Sequence, residues 1–582
     1  MRSRSVLRMS RSAMLSAAAM LTTVALAQNP KESPAAEIAQ HGDGQAVLAC
    51  STCHGQSGEG NASAGFPRLA GLSETYLAAQ LDELANGVRQ SAVMQPVAKA
   101  LSAQQRTQFA QYYSKLPSPR TPAQPAQGAL DDRVALHGRW DDDIPACVNC
   151  HGANGSGVGE KFPALAGQPA QYIASQLQAW RAGTRKGDPL GLMQAVANRL
   201  TDQDVQAVSD YFAAADNSPG TRPSAAPENP AKTDAPKSAD ASGDAHAQPP
   251  ASPLGATKLE TPLSAEAGTN SPAHPSAASA GAAVSESPKS ANSGNAPSAT
   301  FTPNSHPIPG GDFGEVIKTG RGVFENPSKY ASQFVGNELT CTNCHLDAGR
   351  HVGSAPLWAA YVSYPAYRAK NHHVNTFEER LQGCFQFSMN GKAPPLGDPV
   401  LVALESYAYW MAQGAPLDPD IPGRGYPKPA KPAQSPDYSR GSQVYTRSCA
   451  LCHGDDGGGQ RANDGSATFP ALWGNHSFNW GAGMGSVNNA AAFIKANMPL
   501  GLHGTLSDQD AWDVALFMDS HERPQDPRYT GSVADTRAKF HDGADWMYGK
   551  SVNGHVLGSD SVTPGPKPRG RPQSSVVGSG SH

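Results

Sequence analysis

Eight of the nine cysteines in this 582-residue sequence fall into four copies of one pattern. They read Cys50-Ser-Thr-Cys53-His54, Cys147-Val-Asn-Cys150-His151, Cys341-Thr-Asn-Cys344-His345 and Cys449-Ala-Leu-Cys452-His453. Cys-x-x-Cys-His is the attachment signature of c-type haem: the two thiols become thioethers and the adjacent His becomes the proximal iron ligand. A redox dithiol or half a zinc site would account for one copy. Four copies that consume all but one cysteine predict four covalently bound haem c groups, ligated by His54, His151, His345 and His453. A disulfide framework is excluded, because Cys384 has no second thiol to pair with.

Each haem then needs a distal ligand. Met94 lies 40 residues after His54, Met193 lies 42 after His151, and Met498 lies 45 after His453. A thioether is a soft sixth ligand that raises the haem potential, so these three methionines are the predicted distal ligands. Met484 and Lys495 compete with Met498. The third unit breaks the pattern, because the same count from His345 lands on Cys384, 39 residues on. Met389 is the alternative there, with Cys384 then packing as a small hydrophobe. A thiolate on iron would lower the potential, and it is a sulfur nucleophile suited to bonding another sulfur.

Basic residues surround this cysteine: Arg350, Arg368, Lys370, His372, His373, Arg380 and Lys392. In a chain of net charge −4, such a local cluster draws in a small anion. Arg380 precedes Cys384 by four residues, which is one turn and puts both on one face if this stretch is helical. Lys370 and Lys392, taken singly, read as solvated surface charges. The overall charge gives no indication of a nucleic acid or an anionic membrane as partner.

The elements that position these groups are helical. Cys50–His54, Phe66-Pro-Arg-Leu-Ala-Gly71, Tyr76–Leu81, Met94 and the segment 102–116 recur as Cys147–His151, Phe162-Pro-Ala-Leu-Ala-Gly167, Tyr172–Leu177, Met193 and 201–215. The offset stays between 96 and 99 residues, which marks a duplication. Apolar residues at helical spacing (Tyr76, Leu77, Leu81, Leu84) predict a middle helix. Ser102-x-x-Gln105 and Thr201-x-x-Asp204 predict capped closing helices before which the methionine loops lie. Units of this length struggle to fill a core, and a covalent haem supplies the missing apolar mass. The last unit repeats Phe469-Pro-Ala-Leu-Trp-Gly474 and a capped helix from Ser507.

The predicted fold class is all-α: four class I cytochrome c-type haem domains in two pairs joined by a long disordered linker. Residues 1–27 carry four arginines, an apolar run and Ala25-Leu26-Ala27, and read as a secretory signal peptide. Cytochrome c domains follow at 28–125 and 126–216. Residues 217–303 are rich in Pro, Ala and Ser with little to bury, and predict a disordered tether that holds the two halves at high effective concentration without a fixed interface. A catalytic cytochrome c domain at 304–425, a fourth at 426–530 and a loosely ordered tail at 531–582 complete the expectation. No later segment is long and apolar enough for a membrane span in the mature chain, so a periplasmic location is expected.

Residues 40–216 resemble the c4-type dihaem cytochromes through the paired motifs, which implies electron transfer between two haems placed back to back. Four further segments carry a second resemblance. They are Leu339-Thr-Cys-Thr-Asn-Cys-His-Leu-Asp-Ala-Gly-Arg350, Tyr364-Pro-Ala-Tyr367-Arg368, Glu379-Arg380…Cys384…Ser388-Met-Asn-Gly-Lys392, and Gly483-Met through Phe-Ile-Lys-Ala-Asn-Met-Pro-Leu-Gly501. Over residues 312–525 the chain thereby resembles the dihaem thiosulfate dehydrogenases of the TsdA type. The resemblance implies oxidation of two thiosulfates to tetrathionate with release of two electrons, and sometimes the reverse. It makes Cys384 the distal ligand of the active-site haem, places Arg380 and Ser388 in the substrate pocket, and offers Arg368 as a second arginine. In that family the second haem takes lysine, methionine or both in exchange; here Met498 matches the methionine and Asn497 precedes it. Because the family's acceptor can be a c4-like cytochrome, the chain looks like a fusion, acceptor first and enzyme second. Its downstream acceptor would be a cytochrome c, a high-potential iron-sulfur protein or a terminal oxidase. A tetrathionate reductase, another sulfur-anion oxidoreductase and a non-catalytic multihaem electron-transfer protein are the alternatives.

Overall fold

The computed structural model describes residues 33–45, 47–118, 132–215, 301–303, 307–368, 371–417 and 422–561. The expected signal peptide and nearly all of the expected linker lie outside the described residues. Phe301, placed by the sequence at the linker's end, packs its ring 4.7 Å from that of Trp358 and so belongs to the packed second half.

The closing helices start where capping predicts. Ser102 and Gln105 form a capping box before Ala103–Lys115, Thr201 and Asp204 form another before Asp202–Ala214, and the Ser507 side chain accepts from the Asp510 N–H before Asp508–Asp519. Each Cys-x-x-Cys-His segment has its own hydrophobic cluster, with Cys50, Cys147, Cys341 and Cys449 each packed against a different one. In the second half, the opening helices Asp312–Glu325 and Tyr438–Ser448 pack on Pro399–Met411 and Asp508–Asp519. They meet at glycine: a Cβ on Gly320 would overlap the Ala403 carbonyl, and one on Gly441 the Asp513 carbonyl. Among the described residues the helical expectation is interrupted by three short antiparallel ribbons, Ala366–Arg368 with His373–Asn375, Gln460–Arg461 with Ala467–Phe469, and Ser551–Val552 with His555–Val556.

The duplicated units of the first half meet through residues at equivalent repeat positions. Arg89 donates to the Tyr172 hydroxyl at 3.1 Å and to Gln176 Oε1 at 2.7 Å. Its counterpart Arg185 donates to the Tyr76 hydroxyl at 3.2 Å and to Gln80 Oε1 at 2.8 Å. Each arginine thus reaches into the other copy. Arg68, fully buried, donates to the carbonyls of Ala70 and Ala166, so neither copy alone satisfies it.

The two halves also share a fixed contact, which corrects the expectation that the tether holds them without one. Val158, Ala462 and Phe469 form a buried apolar cluster with Phe162, Cys150 and Cys452 against it, and the rings of Phe162 and Phe469 lie 5.0 Å apart. Asn463 donates its backbone N–H to the Gly157 carbonyl at 3.0 Å and its side-chain amide to the Ser156 carbonyl at 2.8 Å. Arg199 donates to the Gly501 carbonyl at 2.8 Å, and His503 meets Asp143 at 2.9 Å. Among the described residues no helix is long and apolar enough to cross a membrane.

Residues 531–561 depart from the expected loose tail. Thr536 and Tyr548 are wholly buried, and Met547 and Leu557 are buried beside them. Their anchor is Asp526, which accepts from His541 Nε2 at 2.8 Å and pairs with Arg528 at 2.6 Å. Burial pushes the Asp526 carboxyl up, but the hydrogen bonds from His541 and Arg528 outweigh it and hold it well below the usual carboxylate range. The sequence hides this because the apolar residues of the segment are few and follow no period.

Two outcomes follow. Because the folded carboxyl is depressed, its contribution is intact above the ordinary carboxylate pKa of about 4 and fades as pH falls below it. His541→Ala will weaken the extension by about 1.5–3 kcal/mol, the worth of a hydrogen bond to a charged group, and hydrogen exchange over 526–561 will rise at neutral pH; unchanged exchange contradicts the anchor. Ala462→Asp, which puts a charge into the apolar contact, will increase the radius of gyration in X-ray scattering, whereas a compact variant would show that this contact does not join the halves.

Candidate active site

The segment around Cys384 is built by a capping box. Thr376 accepts from the Glu379 N–H at 3.2 Å and Glu379 accepts from the Thr376 N–H at 2.7 Å, starting the helix Phe377–Gly383. Phe377 and Leu381 face the core. The helix then widens into one π-helical turn, Cys384–Ser388, closed by the Met389 N–H on the Cys384 carbonyl at 2.9 Å. Such turns often mark functional positions. Cys384 therefore stands at a helix end.

One turn apart, Arg380 and Cys384 meet as their spacing predicts: Arg380 Nη1 donates to Cys384 Sγ at 3.0 Å. Cys384 beside it raises the Arg380 pKa against the effect of burial, so the guanidinium stays charged. Tyr364 and Tyr426 also act electrostatically on Arg380. Arg368 joins through Tyr364, donating to its hydroxyl at 2.8 Å. Ser388 is half-buried at the end of the π turn; its carbonyl accepts from Asn337 at 2.9 Å. Met389 is 3% exposed, within the hydrophobic cluster that Cys341 also packs against. Cys384 is the sulfur that Arg380 contacts.

The four motif histidines test whether these residues suit haem. His54 Nδ1 lies 2.9 Å from the Pro67 carbonyl, His151 Nδ1 2.8 Å from Pro163, His345 Nδ1 2.6 Å from Ala355, and His453 Nδ1 2.9 Å from Pro470. A carbonyl only accepts, so Nδ1 carries the proton and Nε2 keeps its lone pair. This is the arrangement that orients a metal-ligating imidazole. Burial lowers the pKa of all four, His345 to about 4, so the rings are neutral, as ligation requires. None of the nine cysteines is in a disulfide. A cavity of about 810 Å³ is walled by Cys452, His453, Met484 and Met498, and extends to Cys150 and Cys344. A smaller one of about 110 Å³ brings Met193 to Cys147, Cys150 and His151. The residues fit the group.

The structure places the other distal candidates as follows. Met94 opens the helix Met94–Ala100 and Met193 stands second in Leu192–Arg199, so both lie on short helices rather than in loops. Met498 caps the helix Val487–Asn497. Lys495 is engaged elsewhere, donating to the Leu506 carbonyl at 2.5 Å. Met484 shares the cavity wall with Met498.

Three features escaped the sequence. The Phe-Pro motifs were visible as repeats, but their prolines' role as carbonyl partners of the proximal histidines was not. The third unit performs the same task with Ala355 in Ser354-Ala-Pro-Leu-Trp358, and the shared Pro and Trp were the available signal. Tyr426, from the stretch between the two units of the second half, carried no signal at all. Burial and the Cys344 thiol nearby raise its pKa well above that of a free tyrosine, which keeps its hydroxyl protonated.

The chain matches known proteins along its length. The cytochrome c family matches residues 42–117, 144–216 and 438–522, and the SoxA/TsdA cytochrome c domain matches 328–417. A thiosulfate dehydrogenase of Thiomonas intermedia is 61% identical over 272 residues, covering 47% of this chain and 85% of that protein. A thiosulfate dehydrogenase electron acceptor of the same organism is 53% identical over 176 residues, covering 30% of this chain and 81% of that one. The solved structure of thiosulfate dehydrogenase TsdBA from Marichromatium purpuratum is 38% identical with a TM-score of 0.72, over 90% of this chain and 99% of that one. With one half matched by the dehydrogenase and the other by its acceptor, the chain belongs to the thiosulfate dehydrogenase family, in the form that fuses a c4-like acceptor part to the TsdA-like enzyme.

Proposed function

We propose that this chain is a periplasmic tetrahaem thiosulfate dehydrogenase that forms tetrathionate, with its chemistry at Cys384. The observation that carries the reading is the 3.0 Å hydrogen bond from Arg380 to the Cys384 sulfur, inside a group of arginines and tyrosines. The residues that would hold haem are the four cysteine pairs with His54, His151, His345 and His453, and the distal atoms would come from Met94, Met193, Cys384 and Met498. Bound there, the haems would supply one-electron iron centres in both halves, with an external acceptor as the electrons' destination.

The chain's own residues do the rest. Arg380 is fixed beside the sulfur and offers its remaining donors to the sulfonate oxygens of thiosulfate, for which a planar guanidinium is suited. Arg368, held at Tyr364, adds a second cation, and the Ser388 hydroxyl, which has no hydrogen-bond partner among the described residues, is free to donate. The Cys384 thiolate and the terminal sulfur of one thiosulfate form an S–S bond with loss of two electrons. The terminal sulfur of a second thiosulfate then attacks the substrate sulfur of that adduct. The S–S bond of tetrathionate forms and Cys384 leaves as thiolate. Two thiosulfate dianions thus yield one tetrathionate dianion and two electrons. Export is supported by the arginines and apolar run of residues 1–27.

Cys384→Ala will abolish tetrathionate formation while intact mass still shows four haems; retained turnover would overturn the reading. For the His453 haem, Met498→Ala will change the visible and paramagnetic resonance signature, and Lys495→Ala will leave it as in the wild type. The opposite pattern would assign lysine.

A further inference from the structure

The π turn that carries Cys384 is held from outside by residues far along the chain. Asn479 donates its N–H to the Phe387 carbonyl at 3.2 Å and its amide to the Gln386 carbonyl at 2.9 Å and to Asn390 Oδ1 at 3.1 Å. Asn337 holds the Ser388 carbonyl. The Phe387 ring has its own clamp. A Cβ on Gly481 would overlap it, so the backbone of residue 481 lies directly against the ring. The Arg528 guanidinium lies 4.9 Å from the ring centroid, and 4.2 Å from that of Phe540 in the C-terminal extension. Arg528 is not a loose surface cation: its side chain is 20% exposed and grips both oxygens of the wholly buried Asp526 at 3.0 and 2.6 Å, which His541 holds in turn.

Phe387 is three residues after Cys384, in the same turn. A Cβ on Gly383 would lie 3.9 Å from both the Phe387 ring and Arg380 Nη1, so ring and guanidinium flank the same residue beside Cys384. We propose that Arg528 is a positioning residue for the active site, fixing through Phe387 the turn that aims the Cys384 sulfur at Arg380. The extension 526–561 is then the outer support of the site. A cation over a ring face restrains that ring without a covalent link. Its planar fork, locked on Asp526, is what a lysine cannot reproduce.

This rests on the reading of Cys384 as the reacting sulfur and haem ligand, and the experiment separates the two. The haem-loaded, full-length protein is compared with Arg528→Ala, Phe387→Leu and the double variant. If the wild type shows neither a thiolate-ligated low-spin signal nor thiosulfate turnover, the functional reading falls. If it shows both, Arg528→Ala will shift or broaden that signal, leave the signals of the other haems unchanged, and lower kcat roughly ten- to hundredfold, the range for partners that orient a ligand. KM for thiosulfate will change little. Phe387→Leu will do the same, and the double variant will lose no more than the worse single, as coupled residues do. An unchanged thiolate signal in Arg528→Ala, with or without loss of activity, overturns the proposal, as does full additivity. If Arg528→Ala fails to accumulate folded, Phe387→Leu, which leaves the Asp526–His541 pair intact, decides it on the same signal.

Discussion

Each of the four motif histidines gives its Nδ1 proton to a backbone carbonyl, and the haem-binding units are arranged around that bond. It fixes the tautomer and the plane of the ring, leaving Nε2 as the only lone pair to offer. The Phe-Pro motifs exist in these terms to present the carbonyl: the chain must return past the histidine at a set point, and Pro67, Pro163 and Pro470 mark it. Each unit is too small to fill its own core. The short helices, the capped closing helix and the hydrophobic cluster of each unit therefore close around a group the motif is made to hold.

The third unit keeps the histidine bond, through Ala355, and changes what faces it. In the other three units a methionine occupies the corresponding stretch. Here a capped helix and a π turn present Cys384 with Arg380 against its sulfur. On the proposed reading, one change of sulfur type, with one arginine four residues earlier, makes a position suited to electron transfer into one suited to sulfur chemistry. On that reading, this cationic neighbour would also receive the anionic substrate.

How far the sequence could be read follows from the range of the interactions. The haem motifs, the duplication and the capping boxes are local patterns, and all stand in the structure where the spacing puts them. The Arg380–Cys384 contact was legible because it spans a single helical turn. Interactions between distant residues were not: Phe162 with Phe469, Tyr426 with Arg380, and Arg528 with Phe387 link separate segments and leave no period to detect. The contact between the halves reuses motif phenylalanines already accounted for by the haem units. The extension 531–561 reads as a tail in the sequence because its burial rests on a polar anchor, Asp526 with His541, and on a few scattered apolar residues.

The central claim is that the Cys384 sulfur bonds to substrate sulfur during turnover. Its most direct test is peptide mass spectrometry of the haem-loaded protein after incubation with tetrathionate and no electron donor. Attack by the Cys384 thiolate on tetrathionate releases thiosulfate and leaves a thiosulfate-derived adduct, and the account predicts that adduct on the peptide containing Cys384. An unmodified Cys384 peptide from protein that still interconverts thiosulfate and tetrathionate would contradict it.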